Sequence, residues 1–317
     1  MSERPSQNSN PVVCAVTLNW NRFDDTVECI ASLKKNSFPP SRIVLLDQAS
    51  PDGSGRKLAE FYGSDEQIIV VRNPTNSGFA EGSNIGIRRA IELAADEIFL
   101  VNNDTVVAED CIQLLSEALA SDPSAAAAGP VITYYSKPEK IWQAGGSFSK
   151  VRMAVVGRAQ GKYISQIENS VTRTMFLTGC AILLRRSTIE RVGLFDASYF
   201  FYGEDVDYGL RIGDAGMNMC VVPAARVYHK IGDIATERTS PFVVKNLARS
   251  TVITIRKRFS GLLMWYGVTL QFTLFTLFRT WQILRGGNGW DSIVAWFSGL
   301  SAGLRVRIRR DEDLRPH

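Results

Sequence analysis

From Pro11 to about Val222 the chain alternates short apolar runs with longer amphipathic stretches. The runs fall at 12–18, 43–46, 68–71, 98–101, 181–184 and 219–222. Each holds four to seven residues rich in Val, Ile and Leu between turn signals, so each reads as a buried strand, and the stretches between them read as helices. The pattern predicts an α/β fold built on a largely parallel sheet with helices on its faces. Residues 24–35 show the helical part of the pattern. Asp24 and Asp25 fall in a first turn, Lys34 and Lys35 in a last turn, and Val27, Ile30 and Leu33 form one apolar stripe. That charge order complements the helix dipole.

The exits of the first four strands are polar. They run into Asn19-Trp20-Asn21, Asp47-Gln48-Ala49-Ser50, Arg72-Asn73 and Asn102-Asn103-Asp104. In open α/β sheets ligands bind beyond the carboxyl ends of the strands, so four such exits predict one polar crevice.

Three further segments carry candidate chemistry. In 76–86, NSGFAEGSNIG, Gly78, Gly82 and Gly86 recur every four residues, a bare helical stripe that either packs closely on a neighbour or lets a diphosphate approach. It is not the dinucleotide fingerprint, because G-x-G-x-x-G is absent. Asp104 closes the fourth run, either as a helix cap for Val106 onward or as an oxygen ligand for Mg²⁺ or Mn²⁺. His229, one of only two histidines, follows another apolar strand and turn and could join Asp104 on a metal. Residues 193–216 set the aromatics Phe195, Tyr199, Phe200, Phe201 and Tyr202 before Glu204-Asp205, with Asp207 and Arg211 at ion-pair spacing. The two acids are either ordinary residues of a helix first turn or a base with its orienting partner.

Composition narrows the class. With 45% hydrophobic and 21% charged residues, 25 Gly and 12 Pro, the chain is neither disordered nor collagenous. Its five cysteines are dispersed and odd in number, which favours a reducing compartment and no disulfide framework. Residues 1–10 read as a polar, disordered tail without a secretory signal. The net charge of +4 is uneven: residues 245–317 hold 12 Lys/Arg and 4 Asp/Glu, or +8, leaving −4 for the rest. Within this basic region 260–278 is uncharged and rich in aromatics, between Arg256-Lys257-Arg258 and Arg279. A nucleic-acid arm would interleave its charges, so a membrane surface is the expected partner, with a helix lying on the bilayer favoured over a span or a helix packed on the protein.

A metal, polar strand ends and a carboxylate behind an aromatic wall suit transfer from a nucleoside diphosphate. A metal neutralises the departing diphosphate, so one base is enough. Two carboxylates would be needed for glycoside hydrolysis. Nucleotidyl transfer onto a sugar phosphate normally uses a Gly- and Arg-rich loop after the first strand, which 18–22 lacks.

The stretches VVCAVTLNWNR, IVLLDQASPDGS, NPTNSGFAEGSNIGI, FLVNNDTVV, TGCAILLRRSTIERVGLFDASYFFYGEDVDYGLRIGDAG and VVPAARVYHK, in that order, resemble family 2 of the inverting glycosyltransferases, in the rhamnosyltransferase-like branch of bacterial surface polysaccharide synthesis. The resemblance spans about 12–230. It implies a GT-A fold, with a Rossmann-like, mainly parallel sheet: a glycosyltransferase domain over 11–240, its nucleotide-binding half ending near Thr105, and a helical, membrane-associating region over 241–317. By motif match Asn19, Asn21, Asp47, Asn76, Gly78, Asn84, Asn102 and Asn103 would line the donor site. Asp104 and His229 would hold Mn²⁺ or Mg²⁺. Asp205 would be the catalytic base with Glu204 assisting it or touching the acceptor, and Trp142 and Tyr202 would border the acceptor. Asn102 replaces the first acid of the usual D-x-D triplet, which leaves metal binding to Asp104, His229 and the donor phosphates. The implied partners are a dTDP- or UDP-sugar, rhamnose first and galactofuranose or GlcNAc as alternatives, and a lipid-linked saccharide at the cytoplasmic face of the membrane. A non-catalytic nucleotide-sugar sensor is the non-enzymatic alternative.

Overall fold

The computed structural model describes residues 10–231, 239–285 and 289–314, so all but the last residue of the expected tail over 1–10 lies outside the described residues. The chain opens with β1 (Val13–Asn19), α1 (Phe23–Lys34), β2 (Arg42–Asp47), α2 (Ser54–Phe61), β3 (Ile68–Arg72), α3 (Gly78–Glu92) and β4 (Glu97–Val101). Every expected strand of this half forms: β1, β2 and β4 are almost wholly buried on both faces, while β3 closes the sheet edge with Ile68 buried and the rest partly exposed. The parallel register pairs Asn19 with Asp47 and Asp47 with Arg72, so the polar exits stand in one row.

The second half is more irregular. It contains β5 (Thr105–Val107), α4 (Cys111–Ser121), β6 (Ala125–Tyr134), β7 (Lys137–Gln143), the hairpin β8 (Gly146–Ser149) and β9 (Ala154–Gly157), β10 (Thr172–Thr174), β11 (Ala181–Arg185), α5 (Arg186–Val192), α6 (Glu204–Asp214) and β12 (Asn218–His229). Across the main sheet the order is β10-β12-β6-β11-β4-β1-β2-β3, with β5 on β12 and β7 on β6. β11 runs antiparallel between β4 and β6, and β10, β5 and β7 also pair antiparallel, while the remaining pairings of this sheet are parallel. The run at 219–222 is thus the start of one long strand. The expected turn before His229 is instead a bulge between Val222 and Arg226, and β12 continues to His229 beside β6. Asp104 precedes strand β5, so its alternative role as a helix cap does not arise.

The glycine stripe of α3 resolves to close packing. A Cβ on Gly82 would stand 2.0 Å from Gln48 Nε2, and one on Gly86 2.2 Å from Val16 Cγ1. The missing side chains let α3 settle onto β1 and β2, leaving no room there for a diphosphate.

After β12 come α7 (Pro241–Arg258), α8 (Gly261–Leu270), a π-helical turn at Gln271–Phe275, α9 (Thr276–Arg285) and α10 (Trp290–Arg305). Ser240 caps α7 by accepting from Val243 N, with Pro241 in the first turn. Val244, Ala248, Val252, Ile283, Ile293, Trp296 and Leu300 form a core distinct from the two that flank the sheet. The basic triplet expected to flank a bilayer segment turns inward. Arg256 donates to Gly303 O and Val306 O, and Lys257 and Arg258 meet buried carboxylates of α6 and its neighbours. Burying the carboxylates of Asp196 and Asp207 requires cations, and α7 supplies them from residues that the sequence alone presented as surface charge.

Candidate active site

At the end of β1 the Asn19 amide is a buried hub. Its Nδ2 donates to Asp47 Oδ1 (2.8 Å), Ser54 Oγ (2.9 Å) and Ser50 Oγ (3.1 Å), while its Oδ1 accepts from Thr26 Oγ1 (3.0 Å). Asp47 also accepts from Ser50 Oγ at 2.5 Å. These bonds fix the Asp47 carboxylate at the strand end, close to the start of α2. Asn21 takes a left-handed conformation (φ 58°), donates from its backbone to Ser50 Oγ and accepts from Asp52 N. Gln48, a residue the motif match did not single out, ties this corner to the next. It donates to Gly78 O and accepts from Asn73 and Ser77.

The start of α3 meets the segment before α6. Gly78 (φ 80°) sits against Phe200, whose carbonyl accepts from Phe79 N, and Asn76 Oδ1 accepts from Gly78 N. Asn84 lies one helical turn and a half further on, with its amide engaged in both directions with the Phe195 backbone at 2.9 Å. The structure places Asn84 as a buried clasp between α3 and the 195–203 segment, where the motif match implies a donor-site residue.

Beyond β4, Asn103 Nδ2 donates to Thr26 Oγ1, and Asn102 is held through its backbone by Cys180 O. Asp104 Oδ1 stands 3.1 Å from His229 Nε2. On the other side of the ring, His229 Nδ1 is 3.6 Å from Cys180 Sγ, and Trp142 packs edge-on with centroids 4.7 Å apart. Trp142 thus supports the His229 ring. Burial works against the imidazolium, but Cys180 and the Asp104 carboxylate outweigh it and His229 is pushed up to about 10.

Among the described residues no three His, Cys, Asp or Glu side chains cluster closely enough to hold a cation. The Asp104–His229 pair supplies two donors. Their 3.1 Å separation matches adjacent corners of an octahedron with arms of about 2.1 Å, and the oxygen and imidazole set suits Mn²⁺ or Mg²⁺. A cation there would replace the imidazole proton.

Glu204 and Asp205 open α6. Gly203 precedes them at φ 87°, wedged between Tyr199 and Ser250 where a Cβ would meet Ser250 Cβ at 2.9 Å. Asp205 Oδ2 accepts from Gly179 N (3.2 Å) and Oδ1 from Val206 N (2.8 Å). Burial nevertheless raises its pKa to about 6. Glu204 is buried, its Oε2 has no hydrogen-bond partner among the described residues, and burial followed by the Asp205 charge pushes it well above the usual carboxylate range. Among the described residues no lysine or arginine neutralises either acid, so burial, with the repulsion between them, raises both carboxyls.

The aromatics separate by role. Tyr199 is fully buried with its hydroxyl 2.9 Å from Thr254 Oγ1, and Phe195 stacks on Tyr208. Phe201 meets Phe79, Tyr202 and Phe242, making a partly open wall beside the acids. Tyr202 is held at φ 66°, a strained setting for a bulky residue immediately before the acidic turn.

Residues 178–180 join the two centres. Gly179 N holds Asp205, while Cys180 holds His229 through Sγ and Asn102 through its carbonyl. Nothing in the composition of Thr-Gly-Cys announces this, since the role is carried by backbone groups and a buried thiol.

The model of Glycosyl transferase family 2 matches residues 14–193, more than half of the chain. The chain belongs to glycosyl transferase family 2. This glycosyltransferase is 26% identical over 265 residues to the N-acetylglucosaminyl-diphospho-decaprenol L-rhamnosyltransferase of Mycobacterium tuberculosis, covering 77% of this chain and 83% of the relative. It is 25% identical over 230 residues to the dTDP-rhamnosyl transferase RfbF of Shigella flexneri, with 71% of each covered. These relatives support the rhamnosyltransferase-like branch. Among solved structures, GalNAc-T7 with UDP, GalNAc and Mn²⁺ superposes with a TM-score of 0.62 at 19% identity over 78% of this chain and about half (48%) of that one. The mannosyltransferase PcManGT of Pyrobaculum calidifontis, in complex with GDP-Man and Mn²⁺, gives 0.55 at 17% identity, covering 95% and 78%. The family 2 enzyme thus has the GT-A fold.

Proposed function

We propose that this glycosyltransferase moves rhamnose from dTDP-rhamnose to a hydroxyl of a polyprenyl-diphosphate-linked saccharide at the cytoplasmic membrane surface, with inversion at the anomeric carbon. The observation that carries the reading is the 178–180 bridge. It holds an acid of raised pKa beside a cation-competent Asp104–His229 pair, both at one end of the sheet. The two named relatives support rhamnose as the sugar, and the acceptor named for the mycobacterial protein supports a lipid-linked saccharide.

In this mechanism Asn19 orients Asp47 to receive the nucleobase. Asp104 and His229 would hold a divalent cation, which would supply charge neutralisation for the departing diphosphate. Asp205, ionised above about pH 6, takes the proton from the incoming hydroxyl, with Glu204 assisting it. Phe201 and Tyr202 offer ring faces to the apolar faces of the sugars. One base is enough because the diphosphate leaves without being protonated.

The test is thermal shift of the purified chain with dTDP-rhamnose, UDP-galactofuranose and UDP-GlcNAc, each with and without Mn²⁺. dTDP-rhamnose with Mn²⁺ at about a hundred times its Kd should add roughly 2.7 kcal/mol of stability, a shift of several degrees. A larger shift with a UDP-sugar would move the donor assignment. Equal shifts with and without Mn²⁺ would reject the metal role.

A further inference from the structure

Residues Gly261–Arg285 form one continuous helical run of 25 residues, and its composition would suit a membrane span. Its packing does not. Two mid-run polar groups face the protein, while Thr273 stays exposed and satisfies its hydroxyl on Thr269 O: Gln271 and Thr276 are buried, and Thr276 Oγ1 donates to Gln271 O and accepts from Trp296 Nε1 at 3.0 Å. Gly267 presses on Ile255 and Met153, and Ile283 lies in the core with Val252 and Trp296. Sixteen residues of helix separate those contacts, about 24 Å, so the run lies along the protein for most of its length. A span would instead need hydrocarbon around it through about 30 Å of bilayer.

The outer side of the same run is apolar and uncovered. Leu274 is 64% exposed, Leu277 69%, Trp281 51% and Leu284 63%, and Trp290 at the start of α10 is 78% exposed. Isolated exposed apolar residues are ordinary, but one continuous side of this size marks an interaction surface. At the other end of the run, Tyr266 Oη donates to the backbone carbonyl of Val151. Val151 is the tip of the β8–β9 hairpin, 75% exposed between exposed Lys150 and Arg152. Arg305 at the end of α10 and Arg307, Arg309 and Arg310 after it are exposed as well. Apolar and indole side chains bordered by cations fit an anionic lipid surface, which offers hydrocarbon and negative headgroups in adjacent layers.

We propose that this face docks the enzyme on an anionic bilayer, with 261–285 lying in the interfacial plane and Lys150-Val151-Arg152 as a second point of insertion. The proposal deepens, and rests on, the lipid-linked acceptor of the function proposed above. It also gives that acceptor a physical approach. α7 carries the docking helices and touches the aromatic wall, through Phe242 on Phe201 (5.6 Å) and Ser250 Oγ donating to Phe201 O (3.3 Å).

The test is co-sedimentation of the full chain with phosphatidylcholine vesicles containing or lacking phosphatidylglycerol. Binding should be at least tenfold stronger with phosphatidylglycerol. The double variant Leu274→Glu/Leu277→Glu should lose roughly tenfold or more, in keeping with removal of two large apolar side chains from the interface, and Val151→Glu several-fold. Both variants alter exposed positions and should melt like the parent. Absence of binding to phosphatidylglycerol vesicles, undiminished binding by the double variant, resistance to alkaline carbonate extraction as a span would show, or a stable dimer in solution that covers this face would each overturn the proposal. Each protein is also assayed for Mn²⁺-dependent transfer to a detergent-dispersed acceptor. Transfer retained with vesicle binding lost isolates the docking face, whereas vesicle binding without any transfer rejects the catalytic reading and leaves the docking face standing.

Discussion

Two carboxylates two residues apart on α6 live in opposite electrostatic surroundings. Asp205 sits at the first turn with backbone N–H groups and no cation, and burial raises it to about 6. Asp207 is fully buried too, yet Arg211 (2.9 Å), Lys257 (3.1 Å) and Arg258 (2.7 Å) converge on it. Burial alone would raise Asp207, but these three cations more than offset it and hold the carboxyl below the usual range. Lys257 also reaches Asp196, and Arg258 reaches Asp214 and Asp311, so the cluster joins α6 to α7 and to the chain beyond α10. Which of two neighbours of identical chemistry is given counter-charges thus decides which is locked as an ion in the architecture and which keeps a raised pKa, the latter being the base of the function proposed above.

The contrast can be broken most severely at the proposed base. Asp205→Asn should lower kcat by about 10²–10⁴-fold while leaving Mn²⁺-dependent donor binding in place. It should also raise stability at neutral pH by on the order of 1–2 kcal/mol, since a group whose folded pKa is raised destabilises the fold once ionised. In the parent enzyme at saturating Mn²⁺, kcat/KM should fall about tenfold per pH unit below about 6. Wild-type turnover in the variant, or a flat acid limb, would remove Asp205 from the chemistry.

Asp207→Asn should do the reverse. Leaving Lys257 and Arg258 without their shared partner should cost about 3–5 kcal/mol of stability, measured by urea denaturation. The stability Asp207 contributes is complete above the unfolded carboxylate range, about 4, and is lost as pH falls through its lower folded value. A variant as stable as the parent would show that the cluster is dispensable.

The smallest expected effect concerns the clasp. Asn84→Ala leaves the Phe195 N–H and carbonyl unpaired inside the protein and should cost about 1–3 kcal/mol. Donor affinity measured at a temperature where the variant remains folded should change little. A loss of donor binding that exceeds the stability loss would return Asn84 to the donor site.

How much of this was legible depended on where the information was stored. β1, β2 and β4 of the nucleotide half were readable because each is buried on both faces, which forces an unbroken apolar run, and the half-buried edge strand β3 was readable from its Val/Ile run alone. β7, β9 and β10 were not, because they pair at exposed edges and carry mixed residues such as KPEKIWQ. The segment AAAAGPVITY of β6 was also missed, since its small residues resemble a helix as much as a strand. At the site, Asp104, His229, Glu204 and Asp205 stood out as polar groups at element ends, and the structure brings Asp104 to His229 and Glu204 beside Asp205. The 178–180 bridge and Gln48 did not stand out, because their contacts are made by main chain or by a side chain with no distinctive spacing. The triplet 256–258 misled for a different reason: a buried ion cluster and a solvated basic flank have the same composition until their partners are known.

Asp207 has one further consequence, for the smallest piece of this enzyme worth preparing. A chain cut after residue 240 would retain every residue proposed to touch donor, cation or acceptor. It would also strip Asp207 of two of its three counter-ions and Gly203 of the Ser250 wall behind it. The tidy boundary drawn around the chemistry is therefore the wrong place for scissors, and the helices beyond it belong to the catalytic unit.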